Sequence, residues 1–253
     1  LLISATPEGA GAQASPSERL DELLSIKVSA VSKLEQSATR APGSVAVVTA
    51  EQIAQYGYRT LGDVLRSAAG FYVTYDRNYL YLGVRGFSRP TDYNNRVLLL
   101  IDGFRVNEDF YGSAPIGSDL PIDLRAVDRI EIVRGPGSAA FGGAAMLAVV
   151  NVILRKAEAT SGHEAAIEAG SFGAFGASVH GSVERANGFG IAWSVCGNDT
   201  DGDDLYFPEY DDPETQNGVT RGTDWERSAG LTVAARFRDL EFTALATSRD
   251  KGI

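Results

Sequence analysis

The stretch Phe175-Gly176-Ala177-Ser178-Val179-His180-Gly181-Ser182-Val183 alternates without a break. In an extended chain successive side chains point to opposite sides. Phe175, Ala177, Val179, Gly181 and Val183 therefore share one face, and Gly176, Ser178, His180 and Ser182 the other. The pattern recurs on both sides of this stretch. Ala165, Ile167 and Ala169 align within residues 164–170, and Phe189, Ile191, Trp193 and Val195 align further on. Ala229, Leu231, Val233, Ala235 and Phe237 lie opposite Ser228, Gly230, Thr232, Ala234 and Arg236. Leu240, Phe242, Ala244 and Ala246 lie opposite Glu241, Thr243 and Thr247. Five consecutive strands with one apolar and one polar face suit a sheet between two different media. A transmembrane barrel has this alternation, apolar to lipid and polar to the lumen, in strands of about 9–11 residues. A soluble antiparallel sandwich alternates as well, so the pattern alone leaves both open. The connections favour the barrel. Ala186-Asn187-Gly188 and Arg238-Asp239 are tight turns, whereas residues 198–224 form a long polar loop. The strand order places both tight turns on one rim and the long loop on the other, the asymmetry of barrels. The short connection at 171–174 departs from it.

Upstream of Ala157 the period changes, and the reading is a small α+β domain. Thr49-Ala50-Glu51-Gln52 fits a capping box with Gly57 as the stop. Thr60 starts a second helix, in which Leu61, Val64, Leu65 and Ala68 form one apolar face and Gly70 marks the end. Short apolar runs at 45–48, 71–73, 97–101 and 130–133 read as strands. Val97-Leu98-Leu99-Leu100-Ile101 does not alternate and should be covered on both faces. The expected division is a leader and spacer over 1–24, the α+β domain over 25–157, and antiparallel barrel strands over 158–253. Ala12-Gln13-Ala14 resembles a signal-peptide cleavage pattern. Leu1 is read as other than the natural start, and Ile253 as a truncation that leaves the barrel incomplete.

Composition removes several function classes. One cysteine, Cys196, rules out an intrachain disulfide, and His163 and His180 show no metal-ligand spacing. No resident cofactor or metal is expected. Gly135-Pro136-Gly137-Ser138 lacks the Gly-Lys-Ser/Thr ending of a phosphate loop, and no enzyme is indicated. The net charge is −10. Residues 1–157 are balanced at 16 basic and 16 acidic, whereas residues 158–253 carry 7 and 17. Eight acids lie between Asp199 and Glu214, the wrong sign for a nucleic-acid partner. Asp199, Asp201 and Asp203 offer oxygen ligands suited to calcium, with a solvated outer loop as the alternative.

A series of blocks in the first half carries a family resemblance. Thr49-Ala50-Glu51-Gln52-Ile53, Thr60-Leu61-Gly62-Asp63-Val64-Leu65 and Ala69-Gly70-Phe71 come first. Gly83-Val84-Arg85-Gly86-Phe87 and Val97-Leu98-Leu99-Leu100-Ile101-Asp102-Gly103 follow. Val127-Asp128-Arg129-Ile130-Glu131-Ile132-Val133-Arg134-Gly135-Pro136 precedes the last block, Phe141-Gly142-Gly143 with Val149-Val150-Asn151-Val152-Ile153. Together they resemble the plug of TonB-dependent outer-membrane receptors. Phe141 and Ala148 stand where that family usually has Tyr and Gly.

The resemblance implies import of a scarce ligand across a Gram-negative outer membrane. A ferric siderophore is the first choice, and cobalamin, haem or carbohydrate import, or binding without transport, are the alternatives. The partners implied are TonB of the inner-membrane energy-coupling complex, outer-membrane lipid, and a small-molecule metal chelate. Ser25, Ile26, Lys27, Val28, Ser29 and Ala30 are the expected TonB box, a β-prone segment suited to capture by strand addition. Arg85 and Arg134 are expected to bind barrel carboxylates. The ligand contacts are expected from Tyr75, Tyr79, Arg89, Tyr93, Asn94, Asn95, Phe110 and Tyr111.

Overall fold

The computed structural model describes residues 27–28, 36–37, 44–89, 91–120, 122–135, 143–157 and 162–252. Lys27–Val28 (β1) pairs antiparallel with Gln36–Ser37 (β2). Ser25, Ile26, Ser29 and Ala30 of the expected TonB box lie outside the described residues.

Ser44–Thr49 (β3) leads directly into Ala50–Tyr56 (α1). Thr49 and Gln52 close the expected capping box: the Thr49 N–H donates to Gln52 Oε1 at 3.0 Å and the Gln52 N–H to Thr49 Oγ1 at 3.4 Å. Gly57 ends α1 in the left-handed region, at φ 65°. Thr60 and Asp63 make a second box at the start of Leu61–Ser67 (α2). This helix stops at Ala68, before the expected Gly70. Gly70 instead takes φ 82° in the turn that leads into the next strand. Leu61, Val64 and Leu65 are buried as the apolar face required.

Phe71–Tyr75 (β4) and Leu80–Val84 (β5) form a hairpin. Val97–Ile101 (β6), Phe104–Arg105 (β7), Val127–Arg134 (β8) and Ala148–Leu154 (β9) complete a five-stranded sheet with β3, in the order β3-β8-β9-β6-β7. Only β6–β9 is parallel. All five residues of β6 are buried. Leu99 and Ile101 join the cluster that covers α1 and α2, and Leu98 and Leu100 pack with Val133 and Val149 on the other face. Asp102 and Gly103 turn β6 into β7 with φ 49° and 81°, the paired positive φ of a type I′ hairpin.

The second half is an antiparallel meander of long strands: Gly162–Ala169 (β10), Phe175–Glu184 (β11), Phe189–Thr200 (β12), Glu226–Phe237 (β15) and Leu240–Lys251 (β16). Between β12 and β15, Leu205–Tyr206 (β13) and Val219–Thr220 (β14) pair within the long loop. That loop starts later than expected, because Asn198–Thr200 still ladder with β15.

The polarity of this sheet is inverted. Phe175, Val179, Val183, Val195, Leu231, Phe237, Leu240 and Phe242 are exposed, while Ser178, His180, Ser182, Ser194, Ser228 and Thr232 are buried. Phe242 is 62% exposed and Ser194 2%. A soluble sandwich would bury the first set, so the strands are those of a lipid-facing barrel wall. The inner face lies against the N-terminal domain, whose core takes up Ala234 and Leu245. Along the outer face, the row Phe189, Phe237, Leu240 marks one end. The charged row Asp199, Arg227, Asp250 marks the other. Ten residues of strand tilted about 40° separate them, about 25 Å along the membrane normal, the height of a barrel's apolar band.

Placing Arg at Leu231, near the middle of that band, should destabilise the complete protein in bilayers by about 2–4 kcal/mol, while Ser248→Arg near the charged row should cost about 1 or less. Urea titration of folding into lipid vesicles measures both. Equal, small effects would return the sheet to a soluble sandwich.

Candidate ligand-binding site

The loops at one end of the N-terminal domain gather its tyrosines. The β4–β5 turn is built on Asp76. Its carboxylate accepts the Asn78 and Tyr79 N–H at 2.9 and 2.7 Å and the Tyr81 hydroxyl at 2.7 Å. Burial pushes the Asp76 carboxyl up, but these bonds more than offset that and hold it below the usual carboxylate range. Burial, with the bond to Asp76, pushes the Tyr81 phenol well above its ordinary value. Tyr79 meets Tyr93 edge-on at 5.3 Å. Tyr93 also touches Tyr81 at 6.0 Å and Tyr111 at 6.5 Å, and Tyr111 meets Phe110 edge-on at 4.6 Å. Phe110 is 82% exposed and Tyr111 67%. The result is a continuous aromatic platform, open on one side.

Three polar side chains hold it from beneath. Asn94 is buried and ties three strands of chain: its amide donates to Leu80 O at 2.9 Å and Ala114 O at 3.0 Å, and accepts the Leu82 N–H at 2.7 Å. Asn107 does the same with Val97 O, Gly112 O and the Leu99 N–H. Glu108 accepts the Phe110 and Tyr111 N–H, both at 2.6 Å.

Asn94 was expected to face a ligand. Both its amide hydrogens and its oxygen are engaged internally, so it acts as a support. Asn95 and Arg89 are exposed on the same loop region. Tyr75 donates to Arg77 O at 2.8 Å, to the side of the platform.

The platform lies at the long-loop rim of the wall. Arg249, near the end of β16, donates to the carbonyl of Asn78 at 2.7 Å. The opposite rim carries the tight turns and the link from β9 to β10, where Lys156 meets Glu241 at 2.8 Å. Between the rims, Arg125 holds Glu168 and, at 3.3 Å, Ser178, while Arg59 reaches Glu168 at 3.3 Å. His180 sits between Asp123, at 3.6 Å, and Glu164, at 3.4 Å.

The TonB-dependent Receptor Plug Domain family matches residues 37–149. Over those residues the chain is a plug domain of the TonB-dependent receptor type. A vitamin B12 transporter of Vibrio vulnificus is 28% identical over 180 residues, 70% of this chain and 28% of that protein. An iron-regulated outer membrane virulence protein of Vibrio cholerae is 31% identical over 154 residues, 58% and 22% of the two chains. Among solved structures, the pyoverdine outer membrane receptor of Pseudomonas aeruginosa is 19% identical with a TM-score of 0.65, covering 88% of this chain and 30% of that one. The ferric yersiniabactin uptake receptor of Yersinia pestis is 21% identical with a TM-score of 0.59, covering 85% and 32%. These relatives are transporters and receptors of the outer membrane rather than enzymes. The chain spans under a third of the length of those curated relatives.

The α+β domain is thus the plug, and the meander is the start of the barrel wall. Arg85 and Arg134 engage the plug itself. Arg85 donates to Arg134 O at 3.5 Å, and Arg134 to Ala69 O at 2.7 Å and to the Ser44 hydroxyl. Among the described residues, the plug's cationic contacts to wall carboxylates come from Arg59, Arg125 and Lys156. Of the calcium candidates, Asp199 sits on β12 facing Arg227 at 3.2 Å. No group of three acidic, His or Cys side chains converges on a metal-sized site among the described residues. The sequence reading missed His180 and Arg249, whose only signal was a polar residue on the inner face of a wall strand.

Replacing Asn94 by Ala strands two carbonyls and an N–H in the interior and should destabilise the plug by roughly 2–4 kcal/mol, whereas Asn95→Ala should change stability by less than about 0.5 kcal/mol. Chemical denaturation of the complete receptor distinguishes them. Asp123 gives a pH prediction. Burial pushes its carboxyl up, but His180, the Arg125 N–H and the Arg125 guanidinium more than offset this and leave it lowered. Its contribution is complete above the ordinary carboxylate value of about 4 and is lost as the pH falls through the lowered folded value. Protease protection of the plug should hold from neutral pH to about 5 and fall in stronger acid. Asp123→Asn should flatten that acid limb.

Proposed function

We propose that the complete receptor imports a ferric siderophore across the outer membrane, with the plug closing the barrel until the TonB complex pulls on the segment Ser25–Ala30. The observation that carries this reading is the aromatic platform at the long-loop end of the plug. A hydrogen-bonded chelate of several carbonyls and rings would find there stacking area from Tyr93, Phe110 and Tyr111, with phenol hydroxyls and the Asn95 amide for its polar edge. The rigid supports beneath favour tight capture, because loops already in their bound shape lose little entropy on binding. Iron would arrive inside the ligand, as cargo, with no resident metal of the protein's own.

Cobalamin is the second reading. The sequence similarity to a B12 transporter extends over 70% of this chain, and a corrin presents a flat, bulky face to the same platform.

Two measurements test this. Growth of a deletion strain on single sources, namely ferric hydroxamates, ferric catecholates, haem and cobalamin, should show a defect confined to one of them. Uptake of that ligand should fall at least about tenfold in Val28→Pro, since proline removes an N–H from the strand that TonB would add to, while binding at the surface is unchanged. Normal uptake by Val28→Pro would remove the energy-coupled import reading.

A further inference from the structure

Arg249 joins the barrel wall to the ligand platform through every arm of its guanidinium. Nε donates to Ser118 Oγ at 3.1 Å, and Nη1 to Asn78 Oδ1 at 2.9 Å. Nη2 donates to the Asn78 carbonyl at 2.7 Å and to Glu226 Oε2 at 3.1 Å. The guanidinium carbon lies 5.6 Å from the centre of the Tyr79 ring, within cation–π range. The side chain is 12% exposed and that of Glu226 14%, so the pair is shielded from water and its bonds are strengthened accordingly. Glu226 comes from β15, so both strands of the wall hairpin take part.

The plug segments it grips are far apart in sequence and adjacent in function. Asn78 belongs to the Asp76–Tyr79 turn, and Ser118 to the loop after Ile116. Tyr79, next to Asn78, is the ring that stacks edge-on to Tyr93, and Tyr93 makes the contacts to Tyr81 and Tyr111. Asp76 shapes this turn from the plug side. Arg249 is its anchor from the wall side. A second pair, Lys251 with Asp224 at 2.6 Å, lies beside it, and Asp224 also faces Arg77 of the same turn at 3.7 Å.

We propose that Arg249 is the positioning residue of the ligand site: from the barrel wall it sets the orientation of Tyr79 and, through the Tyr79–Tyr93 contact, the shape of the platform the ligand meets. This rests on the platform being the ligand site. The planar fork is what the geometry requires. A lysine at 249 keeps the charge, but its single nitrogen cannot reach Ser118, both Asn78 oxygens and Glu226 together.

The test uses the full-length receptor in lipid, with 3-fluorotyrosine placed at position 79 and ferric hydroxamate, ferric catecholate, haem and cobalamin as probes. The fluorine signal of the unliganded wild type should be a single line. In Arg249→Lys it should shift and broaden, and affinity for the cognate probe should fall about tenfold, the scale of losing charge-assisted bonds. Tyr79→Ala should weaken the same probe to a similar degree, and the double variant should be no weaker than Tyr79→Ala alone, since the two act through one contact. A fluorine line unchanged in Arg249→Lys overturns the proposal whatever the ligand data show. Additive losses in the double variant overturn it too, because Arg249 would then act independently of Tyr79. If the line changes in Arg249→Lys but neither Tyr79→Ala nor Tyr93→Ala affects any probe, the platform is not the ligand site, and the reading beneath the proposal fails instead.

Discussion

The wall strands turn their apolar side outward and their hydroxyls inward, and the rest of the molecule follows from that inversion. An outward face of Phe, Val and Leu is stable only against lipid. An inward face of Ser, Thr and His is stable only against something polar enough to bond with it. The plug is shaped to that second demand. Its own core is as apolar as that of any small domain, but the surface it presents to the wall carries Arg59, Asp123, Arg125, Lys156 and a network around Asn78 and Ser118. The wall residues they meet, from Glu168 to Arg249, lie on the inner face or at a rim.

Charge pairs at such an interface behave differently from those on an open surface. Exposed ion pairs contribute about 0–1 kcal/mol. The pairs around Asp123 and Arg249 are largely enclosed, so removing one member leaves the other charged and without water, which costs more than the pair contributes. The interface is therefore selective as to geometry while remaining separable: it has few apolar interlocks, Ala234 and Leu245 being the main ones. Polar contacts of this kind seat a domain in one orientation, and water can replace them where the surfaces part.

Local and periodic features were legible in the sequence. Thr49 and Thr60 announced their helices, because a cap is a contact between residues three apart. Alternation gave the wall strands, and the unbroken apolar run 97–101 gave the strand buried on both faces. Features that depend on distant partners were hidden. Asn94 looked like a ligand contact, since an amide in a tyrosine-rich loop reads the same whether it points out to a solute or in to three backbone groups. Arg85 and Arg134 bond within the plug, and the plug's contacts to these five strands come from Arg125, Arg59 and Lys156. Arg249 binds a residue 171 positions away, a pairing that no period or spacing encodes. Gly70 was a fair helix stop in kind but not in place, because the backbone had already left the helix at Ala68.

The long loop between β12 and β15 has a consequence for how such a receptor can diversify. Its central part closes on itself: β13 pairs with β14, the Phe207 N–H bonds Gly218 O at 2.8 Å, and Asp212 caps the turn that follows through the Glu214 N–H at 2.9 Å. Gln216 and Asn217 pass through the left-handed region within it. The attachment to the plug is left to Asp224, at the loop's foot. Lengthening or recutting the closed part changes the exposed surface and adds only a small entropic cost for the longer closure. The membrane wall and the plug seat can thus stay constant while the exterior drifts.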